Sequence, residues 1–200
     1  MTSVEGAYSS RAAEYADLFG SVEAAHPTDR QLVETWSDAV QGRILDAGCG
    51  PGHWTDHLAR RGHEVRGIDL VPAFVERARS AYPDVPFAVG SIDAIDEPDG
   101  SLGGVLAWYS TIHHPPGRIG VPLAEFARVL RPGGSLLIGY FAAEDAVEEF
   151  DHAVVPAYRW PERELRAVLR DHGFEVTEAY HRTGREHRPL GSVVCRSTGA

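Results

Sequence analysis

The sequence predicts an α/β fold, a largely parallel sheet with helices on both faces, and three observations carry that prediction. Apolar runs of strand length alternate with segments of helical periodicity through most of the chain. A glycine-rich stretch, Asp46-Ala47-Gly48-Cys49-Gly50-Pro51-Gly52, joins the first of those runs to a helix. The last two runs have no helix between them. Strands linked through helices pair in parallel and need cover on both sides. Two strands without a crossover make an antiparallel hairpin, here at one sheet edge.

The elements follow in order. Ala7, Ala12, Tyr15, Leu18 and Phe19 recur at helical spacing, as do Leu32, Val33, Trp36 and Val40, and Pro27-Thr28-Asp29 separates the two helices. Gly42 opens the first strand, Arg43 to Ala47, and Trp54 to Arg61 forms a helix stopped by Gly62-His63. Glu64 to Asp69 is the second strand. Pro72 to Ala81 is a helix with Phe74, Val75, Ala78 and Tyr82 on one face, and Pro86 to Gly90 is the third strand. Asp99-Gly100-Ser101 turns the chain into a fourth strand, Gly104 to Tyr109. Leu123 to Leu130 is a helix closed by Arg131-Pro132-Gly133-Gly134, where proline presets φ and glycine supplies a positive one. Ser135 to Phe141 is the fifth strand, and Glu144-Asp145 with Glu148-Glu149 reads as a solvated helix face. Pro161 to His172 is a helix, and Phe174 to His181 with Ser192 to Arg196 is the closing hairpin.

Two hundred residues, 43% apolar and 24% charged, suit one compact globular domain. The 19 basic residues are all arginine, which removes Schiff-base lysine chemistry. Against 29 acidic residues they leave a net charge of −10 and no basic stripe, so nucleic acid is not the expected partner. No apolar run reaches the roughly 18–20 residues of a membrane helix. The polar start Met1-Thr2-Ser3-Val4-Glu5 lacks the pattern of a signal peptide, and Cys49 and Cys195 form no CxxC pair. The expectation is a cytoplasmic protein, monomeric or homodimeric, acting on a small molecule.

The glycine stretch and the acid after it carry the chemistry. Glycines let the backbone turn sharply and approach a ligand closely, and the helix that follows presents free N–H groups. Asp69 ends the second strand about twenty residues after Gly48, where an acid can accept the ribose hydroxyls of a nucleoside. These features indicate a nucleoside-containing cofactor. The spacing is GxGxG with an internal proline, whereas a dinucleotide fingerprint reads GxGxxG.

Ile44 to Gly52 resembles motif I of the class I S-adenosylmethionine-dependent methyltransferases, in a type 11/25-like form. Gly67-Ile68-Asp69 resembles their motif II, and Arg128 to Gly134 the turn before their fifth strand, in the same order and spacing. The resemblance implies a Rossmann-like seven-stranded sheet of order 3-2-1-4-5-7-6 with strand 7 antiparallel. It implies a helical lid and substrate segment over residues 1–40 and a cofactor-binding core over residues 41–200. It also implies S-adenosylmethionine as cofactor and S-adenosylhomocysteine as product, with methyl transfer to an oxygen or nitrogen of a small molecule.

By resemblance, Gly48, Gly50 and Gly52 line the methionine part, with Asp46 near its ammonium and Trp54 bordering the loop. Asp69 takes the ribose beside Leu70, and Ser91 and Ile92 flank the adenine. Trp108 faces the sulfonium. Tyr8, Arg11 and Tyr15 resemble the lid, where an arginine meets the methionine carboxylate. Two positions depart from the family pattern. Gly90-Ser91 replaces Gly-Asp, and Leu102-Gly103 replaces Phe-Asp at the start of strand 4.

For the acceptor, Tyr8, Tyr109, His113 and Tyr158 are the candidate contacts, and His113 is the candidate base. Adjacent side chains on an extended chain point apart, so at most one of His113 and His114 is expected to face the pocket. The alternative role for His113 is packing or capping. Tyr158-Arg159-Trp160 is either core or a wall of the substrate pocket. His53 and His57 have a metal-compatible spacing but no HExxH pattern or third ligand, so no metal is expected. The competing functions are a nicotinamide-dependent oxidoreductase and a non-catalytic S-adenosylmethionine-binding sensor or scaffold.

Overall fold

The computed structural model describes Gly6, Tyr8 and residues 21–152, 154–184 and 187–199. Strand β1 (Ile44–Ala47) lies parallel between β2 (Val65–Asp69) and β4 (Leu102–Trp108). Strand β3 (Phe87–Val89) extends the sheet beyond β2, and β5 (Leu130–Ala142) beyond β4, both parallel. Strand β9 (His187–Ser197) runs antiparallel beside Ser135–Phe141 of β5, and β8 (Phe174–Gly184) runs antiparallel to β9. The main sheet is therefore β3-β2-β1-β4-β5-β9-β8. In chain order of these seven strands this is the implied 3-2-1-4-5-7-6, with the last-formed strand antiparallel.

Burial on both faces follows the two-residue strand period. Leu45, Val105, Leu136 and Ile138 share one cluster with Leu123 and Phe126 of α4 (Gly120–Val129) and Leu165 and Leu169 of α5 (Glu162–Asp171). Their neighbours Ile44, Leu106 and Leu137 face the other way. They meet Val33 and Trp36 of α1 (Pro27–Ala39) and Trp54 and Leu58 of α2 (His53–Arg60). Helix α3 (Pro72–Ala81) packs Val75 and Ala78 on Phe87 and Cys49. Both cysteines are buried and free. Among the described residues no helix is long and apolar enough to cross a membrane.

Several boundaries differ from the sequence reading, each for a pairing reason. β5 absorbs the expected Arg131–Gly134 turn as a bulge, because Leu102 pairs with Leu130 while Gly104 pairs with Ser135. The hairpin strands reach Gly184 and His187, beyond the expected ends. The acidic run is not a helix face. Glu144 and Asp145 lie in a loop, and Glu148–Phe150 is strand β6, antiparallel to β7 (Ala157–Trp160), which joins the C-terminal end of β5 in parallel. Pairing with β7 overrides the helical spacing of the acids.

Gly103, one of the departures from the family pattern, has a packing reason. A Cβ at this position would stand 1.8 Å from the Gln41 carbonyl oxygen, a backbone atom that cannot swing aside. A side chain there, aspartate included, would push the loop before β1 off the sheet. Gly103→Ala should therefore lower unfolding free energy by about 1–3 kcal/mol or more in urea titrations. Gly117→Ala, where an added Cβ meets nothing within 4 Å, should change it by less than about 0.5 kcal/mol.

Candidate active site

Three chain reversals meet at the C-terminal ends of β1, β2 and β4 and enclose a cavity of about 340 Å³. In open parallel sheets a crevice forms here, where neighbouring connections leave to opposite faces. After β1 the chain turns through Gly48 and Gly50 at φ of 85° and 53°, values that only glycine adopts without strain. Gly48 sits so close to the β4 loop that a Cβ would lie 2.3 Å from Ser110 Cβ. At Gly50 a Cβ would meet nothing within 4 Å, so this part of the loop is open on its side-chain face. Gly52 caps α2 with no side-chain hydrogen bond, leaving the first N–H groups of that helix to other partners.

The two acids differ in placement. Asp69 lines the cavity. Its Oδ2 accepts from the Gly50 N–H at 2.8 Å and its Oδ1 from the Val71 N–H at 2.9 Å. Burial raises its pKa above the ordinary carboxylate value, against the pull of those two bonds. Asp46 is outside the cavity lining. It is 2% exposed and accepts from Thr55 Oγ1 at 2.7 Å, and burial pushes its pKa up to about 7. Its carboxyl therefore secures the first turn of α2 from behind the loop.

Leu70, Ser91, Ile92, Trp108 and Tyr109 all line the cavity. Trp54 does not. It is 4% exposed in the core cluster of α1 and α2, with its ring edge-on to Trp108 at 6.1 Å. Tyr158 also lies off the cavity, its hydroxyl donating to Glu149 at 2.8 Å. Arg11 and Tyr15 fall outside the described residues, as does most of the expected lid.

Both histidines face the cavity, contrary to the expectation of one. The segment is not extended: the His114 N–H bonds back to the Thr111 carbonyl at 3.0 Å, and the resulting turn brings both rings to one side. His113 Nδ1 lies 2.9 Å from the Pro156 carbonyl oxygen, which can only accept, so Nδ1 carries the proton. Nε2 is then the lone-pair nitrogen, and the Tyr8 hydroxyl donates to it at 2.8 Å. Burial lowers the His113 pKa and so disfavours the protonated ring. His114 Nε2 contacts Asp93 at 2.8 Å.

Sequence reasoning missed four features. Ser110 lies within the quoted Trp108–Pro115 stretch, and its buried Oγ has no hydrogen-bond partner. Asp93 supplies an acid to the cavity two residues after the Ser91 position, where the family pattern has one. Phe74 and Arg118 reach the cavity from elements read as packing or loop. Tyr109 is the one non-glycine with positive φ among the described residues, at 57°, a strained conformation that turns its ring onto the cavity. Sequence reasoning placed Tyr109 among the acceptor contacts, but nothing in local sequence marks its backbone strain. His53 is half-buried with its pKa lowered by desolvation to about 4, and His57 pairs with Glu34 at 2.9 Å.

Residues 44–134 match the methyltransferase domain family. A malonyl-[acyl-carrier protein] O-methyltransferase of Yersinia pestis is 32% identical over 149 residues, 72% of this chain and 52% of that protein. This chain carries a class I methyltransferase domain. A ubiquinone biosynthesis O-methyltransferase of Xanthomonas oryzae is 32% identical over 58% of this chain and 50% of that one. The chain spans about half the length of the curated relatives it matches. The fold of the methyltransferase domain recurs in Burkholderia thailandensis 1,6-didemethyltoxoflavin-N1-methyltransferase, solved with 1,6-didemethyltoxoflavin and S-adenosylhomocysteine. That structure has TM-score 0.76 and 22% identity, over 96% of this chain and 88% of that one. Magnesium protoporphyrin IX methyltransferase of Synechocystis, solved with S-adenosylmethionine, has TM-score 0.74 and 18% identity over 97% and 95%.

The buried Asp46 of this methyltransferase domain has a measurable consequence. From the ordinary value of 3.8 up to about 7, the folded protein holds a proton here that the unfolded chain has lost. This carboxyl therefore contributes a stability that falls as pH rises through that window. Asp46→Asn keeps the acceptor for Thr55 and removes the titration. It should raise the melting temperature at pH 8, and by clearly less at pH 5, as read by thermal denaturation without ligand.

Proposed function

We propose that this protein transfers the methyl group of S-adenosylmethionine to an oxygen or nitrogen of a small molecule, in the cytoplasm. The observation that carries the reading is the open glycine turn at Gly48–Gly50 bonded to the Asp69 carboxylate on one wall of the cavity that His113 lines on another. The relatives' names span O- and N-methyltransferases, which supports both acceptor classes. On this reading residues 41–200 hold the cofactor, and residues 1–40, with Tyr8, Arg11 and Tyr15, close over it.

The residues present fit that cofactor. At Gly50 the turn has an empty side-chain face where a ligand's methionine part can lie against the backbone. Asp69 spends one acceptor position per oxygen on backbone N–H groups, which leaves lone pairs for two ribose hydroxyls. Gly90, Ser91 and Ile92 offer the flat slot for a base, and the Ser110 Oγ is an unused polar group beside the glycine turn.

When bound, the cofactor supplies an electrophilic methyl carbon on a cationic sulfur. Trp108 and Tyr109 give aromatic faces to a cation in this cavity. The chain's main contribution is to hold the acceptor atom in line with the transferred carbon. A cofactor held by the Gly48–Gly50 turn and Asp69 would supply the methyl carbon and keep the departing electron pair on its own sulfur. The acceptor's proton passes to His113 Nε2, the lone-pair nitrogen, while the Pro156 carbonyl holds the opposite N–H and the ring plane. Tyr8 donates to that same nitrogen and must swing aside or relay the proton.

The first test is calorimetric titration with S-adenosylhomocysteine and, separately, NADH. S-adenosylhomocysteine should saturate, and Asp69→Ala should weaken it by about tenfold or more. NADH should give no binding heat. Preferential NADH binding would instead support the oxidoreductase.

Once an acceptor hydroxyl compound is in hand, His113→Gln should lower kcat by about 10²–10⁴. The acid limb of the wild-type pH–rate profile should fall below the ordinary imidazole value of 6.5, because burial lowers this histidine's pKa. An acid limb unchanged in His113→Gln would remove the base role.

A further inference from the structure

Beyond the cavity lies a continuous run of rings that ends at a cation. Tyr109, on the cavity wall, contacts Phe141 at 5.5 Å between centroids, and Phe141 contacts Phe150 at 5.2 Å. A second path runs from His113 to His152 at 5.3 Å and on to Phe150 at 6.2 Å. The Arg159 guanidinium lies 4.4 Å above the Phe150 ring. Strand pairing explains the convergence. Arg159 is the β7 partner of Phe141 on β5, so the two project from the same face of the sheet.

Arg159 differs from Arg43, Arg66 and Arg128, which are half-buried as well. Arg43 and Arg66 both bind Glu97 at 2.9 Å, and Arg128 binds Glu125 and Asp99 at 2.8 and 2.7 Å. Arg159 forms no ion pair or hydrogen bond among the described residues, and its Nε is shielded from solvent without an acceptor. Its cross-strand partner Glu148 is exposed and outside pairing distance, and the next acid, Glu149, is bonded by the Tyr158 hydroxyl. Among the described residues the Arg159 guanidinium thus has no acid partner, and stacking orients it at the end of an aromatic wall. A buried donor without an acceptor costs free energy, and a planar guanidinium matches a carboxylate fork.

We propose that this wall and Arg159 form the acceptor subsite and that the acceptor is an aromatic acid. Its ring lies along Tyr109, Phe141 and Phe150, its carboxylate binds Arg159, and its methyl-accepting atom lies at the opposite end beside His113. The assignment rests on the methyltransferase reading for the identity of that last atom, but the acid-binding end stands on its own geometry.

The test uses the full chain saturated with S-adenosylhomocysteine and titrated by calorimetry with benzoate, 4-hydroxybenzoate and trans-4-hydroxycinnamate, each beside its uncharged amide. At least one acid should bind about tenfold or more tightly than its amide. Arg159→Met should abolish that preference with unchanged thermal unfolding and unchanged S-adenosylhomocysteine affinity, and Arg159→Lys should retain part of it. Should Arg159→Met unfold early, Arg159→Gln, which keeps a polar head without the charge, gives the same reading. Absence of binding by all three acids overturns the proposal, as does equal binding of acid and amide or a preference that survives in the methionine variant. Acid binding that depends on Arg159 in a protein that does not bind S-adenosylhomocysteine would uphold the subsite and sink the methyltransferase reading instead.

Discussion

The carboxylate of Asp69 accepts from two backbone N–H groups on different loops, Gly50 after β1 and Val71 after β2. That pair of bonds determines the separation of the two reversals that form the floor of the cavity. The third reversal, after β4, is set by contact: Gly48 and Ser110 approach so closely that a methyl group between them has no room. Hydrogen bonding on one side and van der Waals contact on the other thus hold three loops in one arrangement before any ligand arrives. A site pre-organised in this way loses little conformational entropy on binding.

The sheet beneath explains why the loops are where they are. β1 lies between β2 and β4 and is buried on both faces, so its four residues cannot slip by one without moving Asp46 into the apolar cluster that Leu45 and Ala47 occupy. Asp46 tolerates its dry position because Thr55 donates to it and its pKa rises, which removes most of the cost of a buried charge. Arg128, within the conspicuous Arg128–Gly134 motif, turns out to serve the same end. It holds the carbonyls of Ile95 and Glu97 and so anchors the approach to β4.

Around this floor, the opposite wall of the cavity is built from longer-range parts. His113 takes its tautomer from Pro156, 43 residues on, and Tyr8 closes on it from the start of the chain. The aromatic wall draws on β5, β6 and the β4 loop together. Different chemistries on one methyltransferase fold come from exchanging such parts while the floor is kept.

Local pattern in the sequence determined the alternation of strands and helices, the glycine turn, the acid at the end of β2 and the closing hairpin. Each depends on residues near one another in the chain, whose apolar period or backbone freedom acts locally. The sheet order came from the motif resemblance, and the pairings bear it out. Only the tertiary structure decided what depends on distant neighbours. The β6–β7 ribbon arises because β7 finds a free stretch of β5, and the acids of β6 follow it against their helical spacing. Trp54 was drawn into the core by α1, whereas Tyr109 was turned outward by a backbone strain that the packing around it enforces. Gly103 exists for the carbonyl of Gln41, and Arg159 lies unpaired because no acid among the described residues reaches it. Such facts are sums over contacts between segments far apart in the chain, and a one-dimensional pattern carries no record of which surfaces will meet.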